Sequence, residues 1–145
     1  MAGALAPGEA ALWQRMSGPD RRHAVGIART VTAVLGDDAV RPVRAAALLH
    51  DVGKIEAGLG PFRRAAVTLT AMVVGFDTAR GWQGRPGLRG RAGTYLCHPE
   101  IGARLLTEAA SDPLTVAWAR EHHLSEDRWT VPAAIGAALK AADDD

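Results

Sequence analysis

The chain has 145 residues, a formal net charge of +1 and an apolar fraction of 48%. These values are typical of one folded domain with a real core, and they exclude a disordered chain and a strongly basic nucleic-acid-binding protein. The one cysteine, Cys97, excludes an internal disulfide and a four-cysteine zinc site. No segment has the pattern of a secretory leader or a membrane-spanning helix, so we expect a cytoplasmic protein without a membrane partner.

The spacing of apolar residues predicts helices along the first half of the chain. A short helix is predicted over residues 8–17, followed by a longer one that begins with Asp20 as its N-cap and runs to about Leu35. A third helix is predicted to start at Pro42 and to carry His50 on its buried side. Several glycines and a proline follow, so the residues just after His50 are predicted to lie where a helix ends and a loop begins.

The second half of the chain is also predicted to be helical, with one long interruption. Residues 62–76 are rich in Val, Thr and Leu, which leaves a strand possible, but the length of the segment favours a buried helix. The Gly- and Arg-rich residues 81–93 are predicted to form a loop, either flexible or ordered against an anionic ligand. Three helices follow, over residues 99–110, 113–124 with Asp112 as N-cap, and 132–142. We therefore expect an all-α, compact helical bundle that forms one domain over residues 1–145.

Histidines and aspartates, whose side chains can bind a metal, lie on these predicted helices and at their ends. Imidazole and carboxylate are ligands that Zn, Mn, Fe and Ni share. His122 lies four residues after Trp118, and Asp143 four residues after Leu139, so both continue apolar stripes toward the core. Burying such groups together costs several kcal/mol each unless a cation balances them. The sequence therefore predicts a metal site formed by His23, His50, Asp51, His98, His122, His123 and Asp143.

The order of these residues resembles the HD superfamily of metal-dependent phosphohydrolases, which is carried here by His23, the His50-Asp51 dipeptide and Asp143. The segment HDVGK resembles the HD-x-x-K variant of that superfamily. HPEIG, followed by the His122-His123 pair, resembles the extended ligand set of its two-metal members, including HD-GYP phosphodiesterases. The resemblance covers about residues 20–145 and implies a helical bundle of the HD type.

The resemblance implies a metal-dependent phosphoric ester hydrolase or phosphodiesterase that acts on a nucleotide-type phosphate ester. Two divalent transition-metal ions are implied, with Fe or Mn foremost and Zn, Ni or Mg also compatible. Asp51 would bridge the ions, with a hydroxide between them as the nucleophile. The remaining ligands would divide into two sets, one of His23, His50 and Asp143 and the other of His98, His122 and His123.

Positively charged residues near these motifs are predicted to bind the substrate. Lys54, three residues after Asp51, would hold a phosphate oxygen as a point charge, and with Asp51 it is the predicted catalytic pair. Arg85 and Arg89, in the Gly-rich segment, are predicted to contact phosphate as well. Their alternative role is to solubilise a flexible loop. No contact with duplex nucleic acid is expected, and the oligomeric state is left open.

Two departures from the family pattern limit what the resemblance implies about the substrate and the number of metals. The paired histidines are followed by LSEDRWTVP and not by a GYP signature, so specificity for cyclic-di-GMP is not implied. Pro19 stands where three-metal members have a glutamate, so two metals are predicted.

Two other functions remain open: a diiron oxygenase on the same fold, and a module that senses a nucleotide without turning it over. Asp143 could also belong to a solvated acidic tail, and His123 could point away from His122.

Overall fold

The computed structural model describes residues 3–144, so the two ends of the predicted 1–145 domain lie outside the described residues. Within this range the chain is an all-α helical bundle without a strand, as predicted from the sequence. Two short 3₁₀ segments, Gly36–Asp38 and Glu126–Arg128, join the helices. The helices are α1 Pro7–Arg15, α2 Gly18–Leu35, α3 Arg41–Leu49, α4 Lys54–Ala57, α5 Pro61–Val74, α6 Phe76–Arg80, α7 Gly87–Leu96, α8 His98–Glu108, α9 Pro113–Glu121 and α10 Ala133–Asp144.

Helix α3 forms the centre of the bundle, because every residue from Ala45 to Leu49 is buried. Its three consecutive alanines are small, so neighbouring helices can approach it closely on several sides. One side packs with Leu12 of α1 and Leu106 of α8. The other side packs with α2, α9 and α10 through a second apolar cluster that includes Trp118 and Leu139. The end of this central helix carries His50 and Asp51 into the interior.

The second helix begins earlier than predicted, and its N-cap is Ser17 and not Asp20. The Ser17 hydroxyl accepts a hydrogen bond from the backbone N–H of Asp20, and Pro19 occupies the first turn, where its missing N–H costs little. The carboxylate of Asp20 is thereby left to accept two hydrogen bonds from the guanidinium of Arg64, at 2.5 and 2.9 Å. This pair joins α5 to α2.

The predicted loop over residues 81–93 is wrong in its second half, where α7 begins at Gly87. The glycines there allow close packing: a Cβ on Gly90 would lie 1.7 Å from the carbonyl oxygen of Arg85, and one on Gly93 would lie 2.2 Å from the backbone nitrogen of Gln83. Glycine density in this segment therefore reflects a helix pressed against the preceding turn. The helix predicted over residues 62–76 is present as α5, which ends at Val74 before Gly75 with a φ of 91°. Its predicted burial is wrong, because only the side with Val67 and Ala71 packs on the protein and most of its other apolar side chains are exposed.

The α5–α7 unit is joined to the side of the bundle and has its own small core of Ala71, Ala79 and Leu96. Elsewhere the predicted helices are found with shifted ends; α9, for example, ends at Glu121, and the chain turns directly after it. Within residues 3–144, no helix has both the length and the apolarity required to cross a bilayer.

Candidate metal centre

Three histidines at helix boundaries point their Nε2 atoms toward one centre. His50 and His122 are the C-caps of α3 and α9, and His98 is the first residue of α8. In each, Nδ1 donates a hydrogen bond to the carbonyl oxygen three residues earlier, at 3.0 Å to Ala47, 3.0 Å to Ala119 and 2.7 Å to Tyr95. A proton held on Nδ1 leaves the lone pair on Nε2, which is the tautomer that a metal ligand requires.

The structure brings all seven predicted ligands into two adjacent groups. In the first, ligand atoms of Asp51, His98, His122 and His123 lie within 4.8 Å of one another. In the second, ligand atoms of His23, His50 and Asp143 lie within the same distance of one another. The division follows the two sets implied by the family resemblance. Buried His/Asp groups in this chain can thus hold a metal ion.

The carboxylate of Asp51 lies between the two groups. Its Oδ1 atom is 3.3 Å from Nε2 of His98 and 3.6 Å from Nε2 of His122. Its Oδ2 atom is 3.4 Å from Nε2 of His50, which belongs to the second group. One oxygen therefore faces each group, which is the arrangement that a bridging carboxylate requires.

Several polar atoms in this cluster are buried without a hydrogen-bond partner among the described residues. They are Nε2 of His50, Nε2 of His122 and Oδ1 of Asp51. Leaving a buried polar atom unpaired costs about 1–3 kcal/mol, so three at one point need a compensating group. A divalent cation satisfies nitrogen lone pairs and a carboxylate oxygen together. The donors present therefore fit a metal ion.

The charges of the cluster without metal also indicate a site for cations. Burial lowers the pKa of His50, but Asp51 and Asp143 outweigh it and raise that pKa to about 10. Burial likewise raises the pKa of Asp51, yet the charge of His50 and the close approach of the His122 and His98 rings hold it well below its ordinary value. A proton on His50 thus occupies the position that a cation would take, and metal binding must release it.

Asp143 lies in the last turn of α10 and not in a solvated tail. Its Oδ1 atom is 3.0 Å from Nε2 of His23 and 3.5 Å from Nε2 of His50. Burial alone would raise its pKa, but the charge and proximity of His50 and the hydrogen bond of His23 outweigh burial, and the pKa of Asp143 lies below its ordinary value. The carboxylate is therefore ionised and faces the second group of ligands.

His123 turns its ring toward the centre although the residue is exposed overall. Its Nε2 atom is 3.2 Å from Nε2 of His98, and its ring lies 4.0 Å from that of His122. Removal of the ring from water, together with His122 and His98, lowers the pKa of His123 to about 3. A neutral ring keeps its lone pair available. Both members of the pair reach one centre because α9 has ended just before them.

Lys54 and Gly53 support the centre from the turn after Asp51. Lys54 begins α4 and places its ammonium group in contact with Oδ2 of Asp51. Gly53 packs against α8: a Cβ there would lie 2.0 Å from the carbonyl oxygen of His98 and 2.7 Å from the backbone nitrogen of Gly102. Glycine at this position lets the His98 backbone approach Asp51.

Two residues near the centre were missed by the sequence analysis. Tyr95 accepts the His98 hydrogen bond through its carbonyl and stacks its ring on His98, with centroids 5.6 Å apart. Arg64 pairs with Asp20, one helical turn before His23. A family pattern of ligand types contains no information on either residue. Tyr95 lies three residues before His98. His50 and His122 also donate a hydrogen bond to the carbonyl oxygen three residues earlier, and this repeated pattern is the signal by which Tyr95 can be recognised.

Arg85 and Arg89 contact residues other than the seven ligands. Arg85 is in the turn before α7, and Arg89 places its guanidinium 5.7 Å from the centre of the Trp82 ring. Within residues 3–144, no hydrogen bond or ion pair links either of them to the seven ligands or to Lys54. Their predicted contact with substrate phosphate stays a prediction.

Comparison of the chain with family models, with curated proteins and with solved structures finds no match in any of the three.

Proposed function

We propose that this chain is a phosphoric ester hydrolase of the HD superfamily that acts on a nucleotide-type phosphate ester with two divalent metal ions. The observation that carries this proposal is the position of Asp51, whose two carboxylate oxygens face two different groups of ligands. A site for one structural ion would need only one such group. Paired ions bridged by a carboxylate are a recurrent arrangement in enzymes that cleave phosphate esters.

The ligand set favours Fe or Mn as the bound ions. All seven ligands offer imidazole nitrogen or carboxylate oxygen, and neither group includes a cysteine. Such mixed nitrogen and oxygen sites suit iron and manganese, and they also accept zinc or nickel. When bound, the ions would stabilise negative charge on the phosphate and make a water molecule acidic enough to attack phosphorus near neutral pH.

The protein residues supply orientation and charge for this reaction. The three Nδ1 hydrogen bonds hold the rings of His50, His98 and His122 in place before any ion arrives. Lys54 is the nearest fixed cation, and only about 16% of its side chain is exposed. Its ammonium group would exchange part of its contact with Asp51 for a phosphate oxygen of the substrate.

Exposure of the ligands indicates where a substrate would enter. His50, His98 and His122 are buried, whereas His23 and His123 are exposed. His23 and His123 belong to different groups, so each group has one ligand that is exposed to solvent. A phosphate ester would meet an exposed ligand at each group.

Hydrolysis of bis(p-nitrophenyl) phosphate and of a panel of nucleotides tests the proposal. We expect nitrophenol release that requires Mn²⁺ or Fe²⁺ and is lost in Asp51→Ala, because that carboxylate serves both ion sites. The control is Asp37→Ala, which removes an exposed aspartate from a 3₁₀ segment and should leave activity unchanged. Equal activity in Asp51→Ala and the wild type would refute the proposal.

The same assays separate the other two functions. Iron-dependent oxygen consumption with an organophosphonate or polyol, without hydrolysis, would assign the site to an oxygenase. Nucleotide binding without turnover under every metal would assign it to a sensor.

A further inference from the structure

Most of the exposed residues of helix α5 are apolar, and Arg63 and Thr70 are its exposed polar residues. Val67 and Ala71 face the protein, as does Arg64 through its pair with Asp20. On the opposite side, Phe62 is 93% exposed and Val73 is 86% exposed. A surface helix of a globular protein normally has the reverse arrangement, with polar residues facing water. We refer to the exposed residues on that side as the α5 surface, which consists of Phe62, Ala65, Ala66, Leu69, Met72 and Val73.

Positive charge is concentrated in the same part of the chain. Residues 58–96 contain six arginines, one aspartate and no other charged residue, a net charge of +5 in a chain whose total is +1. Arg64 and Arg80 form ion pairs with Asp20 and Glu100. The other four arginines are exposed, and within residues 3–144 none of them has an acidic partner; they are Arg63, Arg85, Arg89 and Arg91.

An apolar cleft of about 500 Å³ lies beside the α5 surface. Its walls include Val67 and Val74 of α5, and Leu88 and Ala92 of α7. Arg63 and Arg89 also line it. Leu88 itself is 62% exposed. Apolar side chains therefore continue from α5 to α7 with cations next to them, a combination that matches the acyl chains and phosphates of a lipid surface.

We propose that the α5 surface binds the surface of an anionic phospholipid bilayer, with α5 lying in the plane of the membrane. The exposed apolar side chains would enter the boundary between headgroups and acyl chains, while the unpaired arginines contact lipid phosphates. At 14 residues, α5 is about 21 Å long, which suits a helix that lies on a membrane. This inference reverses the expectation of no membrane partner, and it does not depend on the proposed hydrolase activity.

The charge distribution disfavours a second copy of the chain as the partner. A symmetric dimer through the α5 surface would place the same patch of each copy against the other. The unpaired Arg63 and Arg89 of one copy, which line the cleft beside this surface, would then lie close to the same arginines of the other copy. An anionic bilayer instead offers the opposite charge together with an apolar interior.

Vesicle co-sedimentation of the full chain tests the inference. We expect binding to phosphatidylcholine vesicles that contain phosphatidylserine, little binding to phosphatidylcholine alone, and weaker binding as salt is added. Val73→Glu and Leu69→Glu should each lower the partition coefficient about tenfold or more, because they place a charge in the apolar face. Arg63→Glu should lower it too.

Two matched controls change equivalent residues on α2. Val34 is 67% exposed, so Val34→Glu adds the same charge at a similar exposed site outside the α5 surface. Arg29→Glu reverses an exposed arginine outside residues 58–96. Both variants should bind vesicles as the wild type does. The helical circular dichroism signal verifies that every variant is folded.

Three results would overturn the inference. The first is no sedimentation of the wild-type chain with either vesicle. The second is an equal loss of binding in Val34→Glu and Val73→Glu. The third is a wild-type chain that does not bind vesicles but forms a concentration-dependent dimer, which Val73→Glu abolishes. That result would assign the α5 surface to a second copy of the chain.

Discussion

The backbone of Gly53 lies against His98, so closely that a Cβ on Gly53 would be 2.0 Å from the carbonyl oxygen of His98. Gly53→Ala must therefore push α8 away from the turn that carries Asp51. We expect the free energy of unfolding of the metal-free protein to fall by about 1–3 kcal/mol, as for other overpacked interiors. Urea denaturation followed by circular dichroism measures this change.

The control for that substitution is Gly26→Ala in α2, where an added Cβ meets no atom within 4 Å. Alanine in a helix interior stabilises by roughly 0.5–1 kcal/mol relative to glycine. The two alanine variants should thus change stability in opposite directions. A Gly53→Ala protein as stable as the wild type would show that α8 does not approach the turn so closely.

Removal of Asp143 should affect one ion site and spare the other. Asp143 contacts His23 and His50, whereas Asp144 pairs with Lys140 on the exposed side of the same helix. We expect Asp143→Ala to lose about one of two ions per chain and Asp144→Ala to keep both. Elemental analysis after dialysis gives the answer, and equal metal content in the two variants would contradict the division into two groups.

Substitution of Lys54 should reduce activity without removing metal. A charged hydrogen bond to phosphate contributes about 1.5–3 kcal/mol, so Lys54→Met should lower kcat/KM roughly 10- to 100-fold. Lys54→Arg keeps the charge and should recover part of the loss. Steady-state kinetics with parallel metal analysis test this role. Loss of metal from Lys54→Met would instead give Lys54 a role in holding Asp51.

The pair between Asp20 and Arg64 should make stability depend on pH in acid. Burial raises the pKa of Asp20, but hydrogen bonds from Arg64 and Ser17 outweigh it, and the net pKa is below the ordinary value of 3.8. Because the folded state has the lower pKa, the stabilisation is complete above about pH 4 and disappears as pH falls through the folded-state pKa.

Comparison with Asp20→Asn measures this contribution. The wild type should be more stable than the variant near neutral pH, and the difference should shrink below about pH 4. Thermal unfolding of the metal-free proteins across that range gives the difference. A difference in stability that stays constant down to the most acidic condition would mean that the ion pair of Asp20 with Arg64 does not stabilise the fold.

The class of fold and the seven candidate ligands could be predicted from the sequence. Apolar spacing and N-terminal prolines placed most helices, because those patterns act within one or two turns. The helix over residues 87–96 was missed, since Gly90 and Gly93 depend on contacts with Arg85 and Gln83 that local propensity cannot show. The N-cap Ser17 was missed because Asp20 is an equally good capping residue.

Other features of the centre depend on tertiary geometry. The common Nδ1 hydrogen bonds could be recognised only when the helix ends were known. Arg64 is close to the ligand-bearing α2 because of its pair with Asp20, 44 residues away in sequence. No periodic pattern predicts an ion pair over such a separation.

Helix α5 was predicted to be buried, but its outward side is exposed. The prediction failed because composition alone does not distinguish a buried apolar face from an exposed one that has no partner.

Metal stoichiometry is the most direct test of the central claim that Asp51 joins two ion sites. The measurement is elemental analysis of protein purified anaerobically without a metal-binding tag. We expect two ions of Fe or Mn per chain in the wild type, and loss of both in Asp51→Ala with the helical fold retained. One ion per chain that survives Asp51→Ala, or none after reconstitution, would contradict the dinuclear centre.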